Sequence, residues 1–350
     1  RVFQESSLLL ERGHRVSIVC QPESFMWNKC QSITSSNFNC YPLPMKSPAN
    51  PFSFFRLLRI LKKAKPDVIH THSSIDSWLA GSVCKFAGIP VVRSRHISIP
   101  IKSIFPNNWL YSRIPKKIIT SGEAISNVVT SVSGVKAENV KSVAAGVDFR
   151  RFDFNINGEA IRKELKLKPD QPLIGKIGVI RGWKGYDYLL EAAPLVLKKY
   201  PDAQFIFVGR GPGFDQTQSI ANSLGLEKAV TLLGHREDIP EIMAGLDIQV
   251  LASFAGEGTP QVIPQAFAMK TPVVATRVGS VPEMLGQGER GVLVELKNSI
   301  DLANGIIKLI ENPNIGKDFS ERAYGFCKKE LGIDRMMDET IATYEEAIKS

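Results

Sequence analysis

Glu257 stands at the centre of the most suggestive chemistry in this 350-residue chain. The apolar run from Ile248 to Leu251 predicts a buried strand, and Glu257 lies in the loop behind it, between Gly256 and Gly258. In open parallel sheets, ligands bind at the carboxyl ends of the strands. A carboxylate at this place is therefore a candidate ligand-binding group.

The segment after this loop predicts a helix over residues 259–269. Thr259 suits an N-cap and Pro260 suits the first helical position, where a missing N–H costs nothing. The free amides of Gln261 and Val262 would then form an anion site. A strand–helix unit without any ligand is the alternative, but the two glycines and two glutamines beside the carboxylate favour a ligand.

Two cations supply matching positive charge. Residues 173–180 predict a strand, and the turn behind it carries Arg181 and Lys184 before a helix that begins near Tyr186. Cations at the carboxyl end of a strand suit a pyrophosphate, whose negative charge must be neutralised as it leaves a substrate. A solvated basic turn is the alternative interpretation.

Histidines occur at the ends of two further predicted strands. His70 and His72 alternate at the end of a strand predicted over residues 67–70, but no third ligand stands at a fitting spacing. The sequence therefore predicts no metal site there. His96 follows Val92 and three polar residues, at the strand end where a ligand would bind.

The segment from Glu257 to Thr276 resembles the signature of family 4 of the retaining glycosyltransferases. After seven residues Glu257 is followed by Gln265, and then by AFAMKTPVVAT. In the family the first position is a Glu associated with the donor sugar and phosphate, and the second is a Glu that binds the ribose hydroxyls. Gln265 keeps a carbonyl acceptor, so the resemblance implies a weaker, uncharged ribose contact. It also implies the GT-B fold, in which two doubly wound, Rossmann-like α/β domains face each other across a cleft.

The resemblance assigns roles to residues outside this signature. Lys184 matches a family Lys, whereas Val179 stands where the family has an Arg, which leaves Arg181 as a nearby substitute. His96 falls where the family places a His near the donor sugar, so the implied catalytic residues are Glu257, Lys184 and His96. The donor is expected to contact a larger set: Arg181, Gly209, His235, Arg236, Gly258, Thr259, Gln261, Val262 and Gln265.

Predicted strands and helices alternate along the chain, which is typical of parallel α/β sheets. The segment AAGVDFRRF resembles the end of the family's first domain, so we predict a first, acceptor-side domain over residues 1–153 and a second, nucleotide-sugar-binding domain over residues 154–332. Residues 333–350 predict one amphipathic helix, and the resemblance implies that it crosses back to the first domain. The chain opens inside a helix, without the strand and Gly-rich turn that precede it in the family, and we therefore expect a fragment that lacks part of the site.

The charge of the chain is unevenly distributed. Residues 1–153 carry 21 Lys and Arg against 9 Asp and Glu, whereas the remainder carries 23 against 26. The first domain therefore either meets an anionic partner or is kept soluble by its charge. No run is long enough to span a membrane, and no secretory signal opens the chain. The five cysteines contain no CxxC pair and predict reduced thiols in a cytoplasmic protein, with neither a disulfide nor a zinc framework.

Residues 51–66 predict an amphipathic helix after a loop-rich segment, residues 21–50, that holds one short strand near residues 39–43. Leu57 and Leu61 belong to an apolar stripe, and basic residues line the opposite face. This helix is either a basic helix that touches an anionic membrane or a crossover helix with a solvated face. The strand that follows favours the crossover helix. The candidate lipid contacts are Arg56, Arg59, Lys62, Lys63, Lys116 and Lys117.

Together with these features, the resemblance implies a retaining, metal-independent glycosyltransferase of the hexosyltransferase type. Its donor would be a UDP-sugar or a GDP-sugar, and its acceptor a glycan or lipid-linked molecule in bacterial surface polysaccharide or lipopolysaccharide assembly. No Asp-x-Asp pair is present to hold a divalent ion, so Lys184, Arg181 and the helix start would stabilise the leaving pyrophosphate. We expect no cofactor, no metal and no nucleic acid partner, and a cytoplasmic location that includes peripheral binding to the inner face of the plasma membrane. A nucleotide-sugar epimerase, a phosphorylase or a non-enzymatic nucleotide-binding protein of the same fold stays open.

Overall fold

The computed structural model describes residues 1–45, 47 and 50–350, and contacts divide them into two compact units. The first unit contains residues 1–96, 100–145 and 334–350, and the second contains residues 97–99 and 146–333. Residues 46, 48 and 49 of the predicted loop lie outside the described residues. Residues 146–153, which the sequence assigns to the first domain, group with the second unit, where Val147 pairs with Gly332 in an isolated bridge.

Six strands of the first unit form two parallel sheets. The strands are β1 (Val16–Cys20), β2 (Phe38–Pro42), β3 (Ile69–Thr71), β4 (Val91–Arg95), β5 (Lys117–Thr120) and β6 (Val140–Ser142). β1 pairs with β2, and the others lie in the order β3-β4-β5-β6. The helices between them are α1 (Val2–Glu11), α2 (Phe25–Cys30), α3 (Pro51–Ala64), α4 (Ser74–Ala87), α5 (Phe105–Ser112) and α6 (Glu123–Thr130).

Two strand boundaries and one helix in the first unit differ from the sequence prediction. β4 continues through Arg95, so only His96 of the predicted polar group follows the strand. β3 begins at Ile69 and ends at Thr71, slightly later than expected. The loop-rich segment contains the unpredicted helix α2, which Ser24 caps by accepting a hydrogen bond from the Trp27 N–H.

The helix α3 is amphipathic, as the sequence predicts. Ser53, Leu57 and Leu61 are buried, and Asn50 caps the helix by accepting hydrogen bonds from the Phe52 and Ser53 N–H groups. Four basic residues and two phenylalanines share the exposed face, namely Phe52, Phe55, Arg56, Arg59, Lys62 and Lys63. Within the described ranges, no helix is both long and apolar enough to cross a membrane.

The second unit is built on one six-stranded parallel sheet. Its strands are β7 (Leu173–Ile177), β8 (Gln204–Val208), β9 (Val230–Gly234), β10 (Ile248–Leu251), β11 (Val273–Thr276) and β12 (Val292–Val294). They lie in the order β12-β11-β10-β7-β8-β9. The helices are α7 (Glu159–Glu164), α8 (Tyr186–Lys199), α9 (Phe214–Ser223), α10 (Ile239–Gly245), α11 (Val262–Ala268), α12 (Val281–Met284), α13 (Ser299–Glu311) and α14 (Pro313–Glu330).

Helices cover both faces of this sheet, as the near-continuous apolar strands require. Phe205 and Phe207 are fully buried in a cluster with Leu189 of α8 and Ile306 of α13. On the opposite face, Ile206 packs in a cluster with residues of α7 and α10. The sequence prediction of an α/β class with parallel sheets in two domains is confirmed.

The last helix, α15 (Ile333–Lys349), packs against the first unit, to which residues 334–350 belong. Lys117 forms a 2.9 Å ion pair with Glu346, and the Lys116 Nζ donates to the Ser350 carbonyl oxygen at 3.0 Å. These two lysines were candidate lipid contacts in the sequence, but α15 already engages them. Lys117 is therefore only partly exposed, whereas Lys116 stays exposed.

Candidate functional site

The strand order of the second sheet reverses direction between β7 and β10. From this central pair, β8 and β9 follow toward one edge, and β11 and β12 follow toward the other. Loops that leave such a pair diverge and open a crevice at the carboxyl ends of the strands. The turn that follows β7 in the chain contains Lys184, and the loop that follows β10 contains Glu257. The cation and the carboxylate singled out in the sequence therefore lie at the topological switch point.

Lys184 and Glu257 form an ion pair that is largely removed from solvent. The Lys184 Nζ lies 2.5 Å from Oε1 of Glu257, and the Ser253 hydroxyl donates to the same oxygen at 2.6 Å. The Glu257 side chain is 6% exposed and the Lys184 side chain 25%. Because both donors reach Oε1, Oε2 of Glu257 can accept from a ligand, and the Lys184 ammonium has two further N–H donors.

Backbone contacts hold these two loops together. The Phe254 N–H donates to the Trp183 carbonyl oxygen at 3.0 Å. Gly185 has a φ of +68°, and a Cβ at this position would lie 1.9 Å from the Ala252 carbonyl oxygen. Only glycine combines this left-handed backbone with so close an approach. The Lys184 turn and the Glu257 loop are thus held in contact through their backbones.

Lys176 is a candidate site residue that the sequence did not single out. It lies in β7 and is 2% exposed, with its Nζ 4.6 Å from the centre of the Tyr186 ring. Burial, reinforced by the positive charge of Lys184 and opposed by Glu257, lowers the pKa of Lys176 to about 7. Such a perturbed, buried group beside an ion pair indicates a functional site. The available signal was a lysine inside an otherwise apolar strand, LIGKIG.

Arg181 stacks on Trp183 in the turn behind β7. Its guanidinium carbon lies 4.8 Å from the centre of the indole ring. The buried Nε of Arg181 has no hydrogen-bond partner among the described residues. Leaving a buried donor unpaired costs about 1–3 kcal/mol, so an acceptor from a ligand would be favourable here.

Gly209 stands where β8 ends and packs tightly on the neighbouring strand end. Its φ is +140°, and a Cβ would lie 2.0 Å from the carbonyl oxygen of Gly178. The Gly209 N–H donates to the Gly234 carbonyl oxygen at 2.7 Å. The carboxyl ends of β7, β8 and β9 are therefore bound together through backbone groups, and a ligand contact of Gly209 stays a prediction.

The helix behind Glu257 begins later than the sequence predicts. α11 starts at Val262, with Gln261 before it and no side-chain cap, so Thr259 is not the N-cap and Pro260 is not the first helical residue. The cause is a second proline, Pro264, which occupies the third helical position, where no intrahelical N–H bond is needed.

The predicted donor contacts of this segment differ in accessibility. Gly258 and Val262 are buried, Thr259 and Gln265 are partly exposed, and Gln261 is exposed. Gln261 lies just before α11 and Gln265 lies within it, and neither side chain is buried. Their contacts with a donor stay predictions.

The loop behind β9 carries His235 and Arg236 in different states. His235 is exposed, whereas the Arg236 guanidinium forms paired hydrogen bonds with Asp238 at 2.8 and 2.6 Å and with Glu164 at 2.8 and 3.0 Å. These carboxylates raise the pKa of Arg236, with the Asp238 hydrogen bond as the main cause. Of the two, His235 is the residue with free donors and acceptors for a ligand.

His96 lies in the first unit and belongs to a group of three imidazoles. Its Nε2 is 3.4 Å from Nδ1 of His72, and the two rings are stacked. The third imidazole is that of His70. Its Nδ1 is hydrogen-bonded to the Tyr344 hydroxyl and its Nε2 to the Ser94 hydroxyl, each at 2.7 Å. Burial, with a further contribution from the charge of Arg1, lowers the pKa of His96 to about 3. His96 is therefore a neutral imidazole at neutral pH.

The sequence predicts no metal site at His70 and His72, and the fold brings one further potential ligand to this pair. The Glu5 carboxylate of α1 lies within 4.8 Å of their ring nitrogens, a proximity that chain spacing does not reveal. However, Glu5 forms a 2.7 Å ion pair with Arg1, and both nitrogens of His70 are already hydrogen-bonded. The group is a polar network that holds the imidazoles of His70 and His72 in place.

Two family models match almost the whole chain. Residues 1–151 match Glycosyltransferase Family 4, and residues 157–326 match Glycosyl transferases group 1. The N-acetyl-alpha-D-glucosaminyl L-malate synthase of Bacillus anthracis is 22% identical over 354 residues, which cover 97% of this chain and 91% of that protein. The UDP-Gal:alpha-D-GlcNAc-diphosphoundecaprenol alpha-1,3-galactosyltransferase of Escherichia coli is 28% identical over 273 residues, with coverages of 74% and 70%.

Solved structures share the fold. A glycosyltransferase from Rickettsia africae superimposes with a TM-score of 0.87 at 20% identity, covering 99% of this chain and 94% of that chain. Anabaena HepE in complex with UDP-glucose gives a TM-score of 0.84 at 20% identity, with coverages of 97% and 94%. This likeness confirms the GT-B fold predicted from the sequence.

Proposed function

Because the chain belongs to the glycosyltransferases of group 1, we propose that it is a retaining, metal-independent transferase that uses a nucleoside-diphosphate sugar. The observation that carries this proposal is the Lys184–Glu257 pair at the switch point of the second sheet. A cation and a carboxylate in a crevice of low dielectric can bind the two ends of such a donor, its diphosphate and its sugar hydroxyls.

In the proposed reaction, different residues of the second unit bind the diphosphate and the sugar. The bond between the sugar C1 and the phosphate oxygen breaks, and its electron pair stays on the diphosphate. Lys184 and the unpaired Nε of Arg181 stabilise this growing negative charge by charge-assisted hydrogen bonds. The acceptor hydroxyl forms the new bond to C1 on the face that the diphosphate leaves, and its proton departs with the diphosphate. Oε2 of Glu257 accepts a hydrogen bond from a sugar hydroxyl and thereby orients C1.

The charges that the protein itself offers support metal-independent transfer. The sequence contains no Asp-x-Asp pair, and two cations stand on the turn behind β7. These cations supply the neutralisation that a divalent ion would otherwise give to a leaving diphosphate.

A UDP-sugar is the proposed donor, and a GDP-sugar is the competing choice. Support comes from Anabaena HepE, whose solved complexes contain UDP and UDP-glucose. Gln265 offers an amide oxygen and an amide N–H for the ribose hydroxyls, and the exposed His235 offers a ring nitrogen for the base.

A lipid-linked glycan acceptor of surface polysaccharide or lipopolysaccharide assembly is proposed for the first unit. The Escherichia coli relative is named for a diphosphoundecaprenol acceptor, which is lipid-linked and anionic. In this chain, Phe52 is 85% exposed and Phe55 is 69% exposed, and they share a face of α3 with Arg56 and Arg59. Aromatic rings beside cations suit the boundary of an anionic bilayer, where such an acceptor would reside.

The proposal is tested by following donor cleavage with the purified chain. We expect release of sugar from a UDP-sugar with unchanged anomeric configuration in proton NMR, and the same rate with and without added Mg²⁺ or Mn²⁺. A released sugar of inverted configuration, or a rate that requires added Mg²⁺ or Mn²⁺, would contradict the proposed mechanism. Conversion of the donor to an epimer, without release of UDP, would favour an epimerase instead.

A further inference from the structure

Three of the five cysteines converge in the first unit. Cys20 ends β1, Cys30 ends α2, and Cys40 lies in β2. Their sulfur atoms all lie within 4.8 Å of one another, and the Sγ atoms of Cys20 and Cys40 are 3.8 Å apart. The spacing of ten residues matches no common metal motif, so the sequence alone gave no reason to connect them.

The pairing of two strands explains how the sulfur atoms meet. In the parallel register of β1 and β2, Ile18 lies opposite Cys40, and Cys20 lies opposite Pro42. Ile18, Cys20 and Cys40 therefore point to the same face, because side chains alternate along a strand. Cys30, the last residue of α2, lies over this face, within a cluster that also contains Met26 and Trp27.

The distances fit coordination to one ion. In a tetrahedral thiolate site with Zn–S bonds of about 2.3 Å, neighbouring sulfur atoms lie about 3.8 Å apart. A disulfide would need an S–S distance of about 2.0 Å, and all five cysteines are free. Cys20 and Cys30 are buried, whereas Cys40 is partly exposed, so an ion and a fourth ligand such as water can enter from the Cys40 side.

The remaining cysteines show the ordinary use of a buried thiol. Cys84 packs in the main apolar cluster of the first unit, and Cys327 donates to the Pro264 carbonyl oxygen in the second unit. Each fills space as a small apolar side chain, which requires no second sulfur nearby. Packing alone therefore does not account for three thiols, from three different elements, at one point.

We propose that Cys20, Cys30 and Cys40 bind one thiophilic metal ion of the Zn²⁺ class, with water as the fourth ligand. Binding converts three thiols to thiolates and releases three protons. The ion ties β1, α2 and β2 together at a position outside the Lys184–Glu257 site. Because it is a structural ion in the first unit, it supplies no step of sugar transfer, and the proposal is independent of the proposed function.

The test uses Co²⁺ as a spectroscopic substitute for Zn²⁺ with the full chain in reduced form. We expect a thiolate-to-cobalt charge-transfer band that saturates at one ion per chain and disappears when one equivalent of Zn²⁺ is added. Cys40→Ser should lose the band, and Cys84→Ser and Cys327→Ser should keep it. Circular dichroism of Cys40→Ser establishes that the variant is folded.

A second measurement keeps the proposal testable if Cys40→Ser does not fold. In the wild-type chain, one equivalent of Zn²⁺ should slow the alkylation of Cys40, the partly exposed thiol of the three, as followed by peptide mapping. A chain without a saturable Co²⁺ band, or alkylation of Cys40 at the same rate with and without Zn²⁺, would overturn the proposal.

Discussion

The proposed catalysis depends on single residues at the switch point of the second sheet. Glu257 receives two hydrogen bonds on one carboxylate oxygen, from Lys184 and Ser253, and this fixes the orientation of the carboxylate before any ligand binds. A preorganised site of this kind loses little on binding, because its groups are already desolvated and oriented. The strength of each group can be measured by removing it.

Lys184→Ala should lower turnover about a hundredfold or more. Loss of one preorganised donor to a developing negative charge commonly costs about 3–4 kcal/mol of transition-state stabilisation. The control is Lys199→Ala, which removes a lysine of the same unit that pairs with Glu311 away from the site. Equal turnover of wild type and Lys184→Ala in steady-state kinetics would remove Lys184 from the mechanism.

Lys176→Met should stabilise the second unit at pH 7. The folded-state pKa of Lys176 is about 7, against 10.5 for the ordinary lysine, so the unfolded chain binds more protons between these two values. The cost of burying Lys176 is therefore fully present below pH 7 and disappears as the pH rises toward 10.5. We expect a gain of more than about 1 kcal/mol at pH 7 in urea unfolding, since one pKa unit corresponds to about 1.4 kcal/mol. A gain that stays constant between pH 7 and pH 10 would show that burial does not lower the pKa of Lys176.

At the scale of elements, the turn behind β7 and the loop behind β10 act as one piece. Gly185 is the contact point, with its φ of +68° and its approach to the Ala252 carbonyl oxygen. This close contact fixes the position of Lys184 relative to Glu257.

Gly185→Ala should reduce turnover more than it reduces stability. The added Cβ collides with the Ala252 oxygen and the backbone is strained, which costs about 1–3 kcal/mol and separates the two loops. Gly225→Ala is the matched control, because Gly225 has the same φ of +68° but nothing within 4 Å of an added Cβ. If both variants lose activity to the same degree, the close approach is unimportant and only the backbone strain matters.

Local sequence patterns predicted most elements, but not the contacts between them. Lys184 and Glu257 were identified because each follows an apolar strand directly, and the order of parallel strands brings such loops together. The start of α11 was misplaced because two prolines, Pro260 and Pro264, both suit a first helical turn.

Contacts between distant segments gave no signal in the sequence. The approach of Glu5 to His70 and His72 depends on how α1 packs, and the cysteine cluster depends on the register of β1 against β2. Lys176 was overlooked because a lysine in a strand is ordinary at a surface, and only burial makes it unusual.

For the molecule as a whole, the uneven charge suggests different partners for the two halves. Residues 1–153 carry 21 basic and 9 acidic residues, and α3 adds exposed aromatic rings to the basic surface of this half. A cationic half with exposed phenylalanines is suited to an anionic lipid surface.

Arg56→Glu combined with Arg59→Glu should weaken binding to anionic vesicles at least about tenfold. Each basic residue near anionic lipid contributes about 1 kcal/mol, and the attraction should fall steeply with salt. The control is Lys328→Glu combined with Lys329→Glu, two exposed lysines of α14 in the second unit. Liposome co-sedimentation decides the matter, and equal recovery with neutral and anionic vesicles would exclude a charged lipid surface as the partner of α3.

The most direct test of the central claim is calorimetric titration of UDP and of uridine into the wild type and Lys184→Ala. The account predicts that UDP binds more tightly than uridine to the wild type, because only UDP carries the diphosphate that Lys184 contacts. Lys184→Ala should weaken UDP at least about tenfold, since a charged hydrogen bond contributes about 1.5–3 kcal/mol, and should leave uridine unchanged. Unchanged affinity for UDP, or an equal loss for both ligands, would contradict the assignment of the switch-point site to the donor diphosphate.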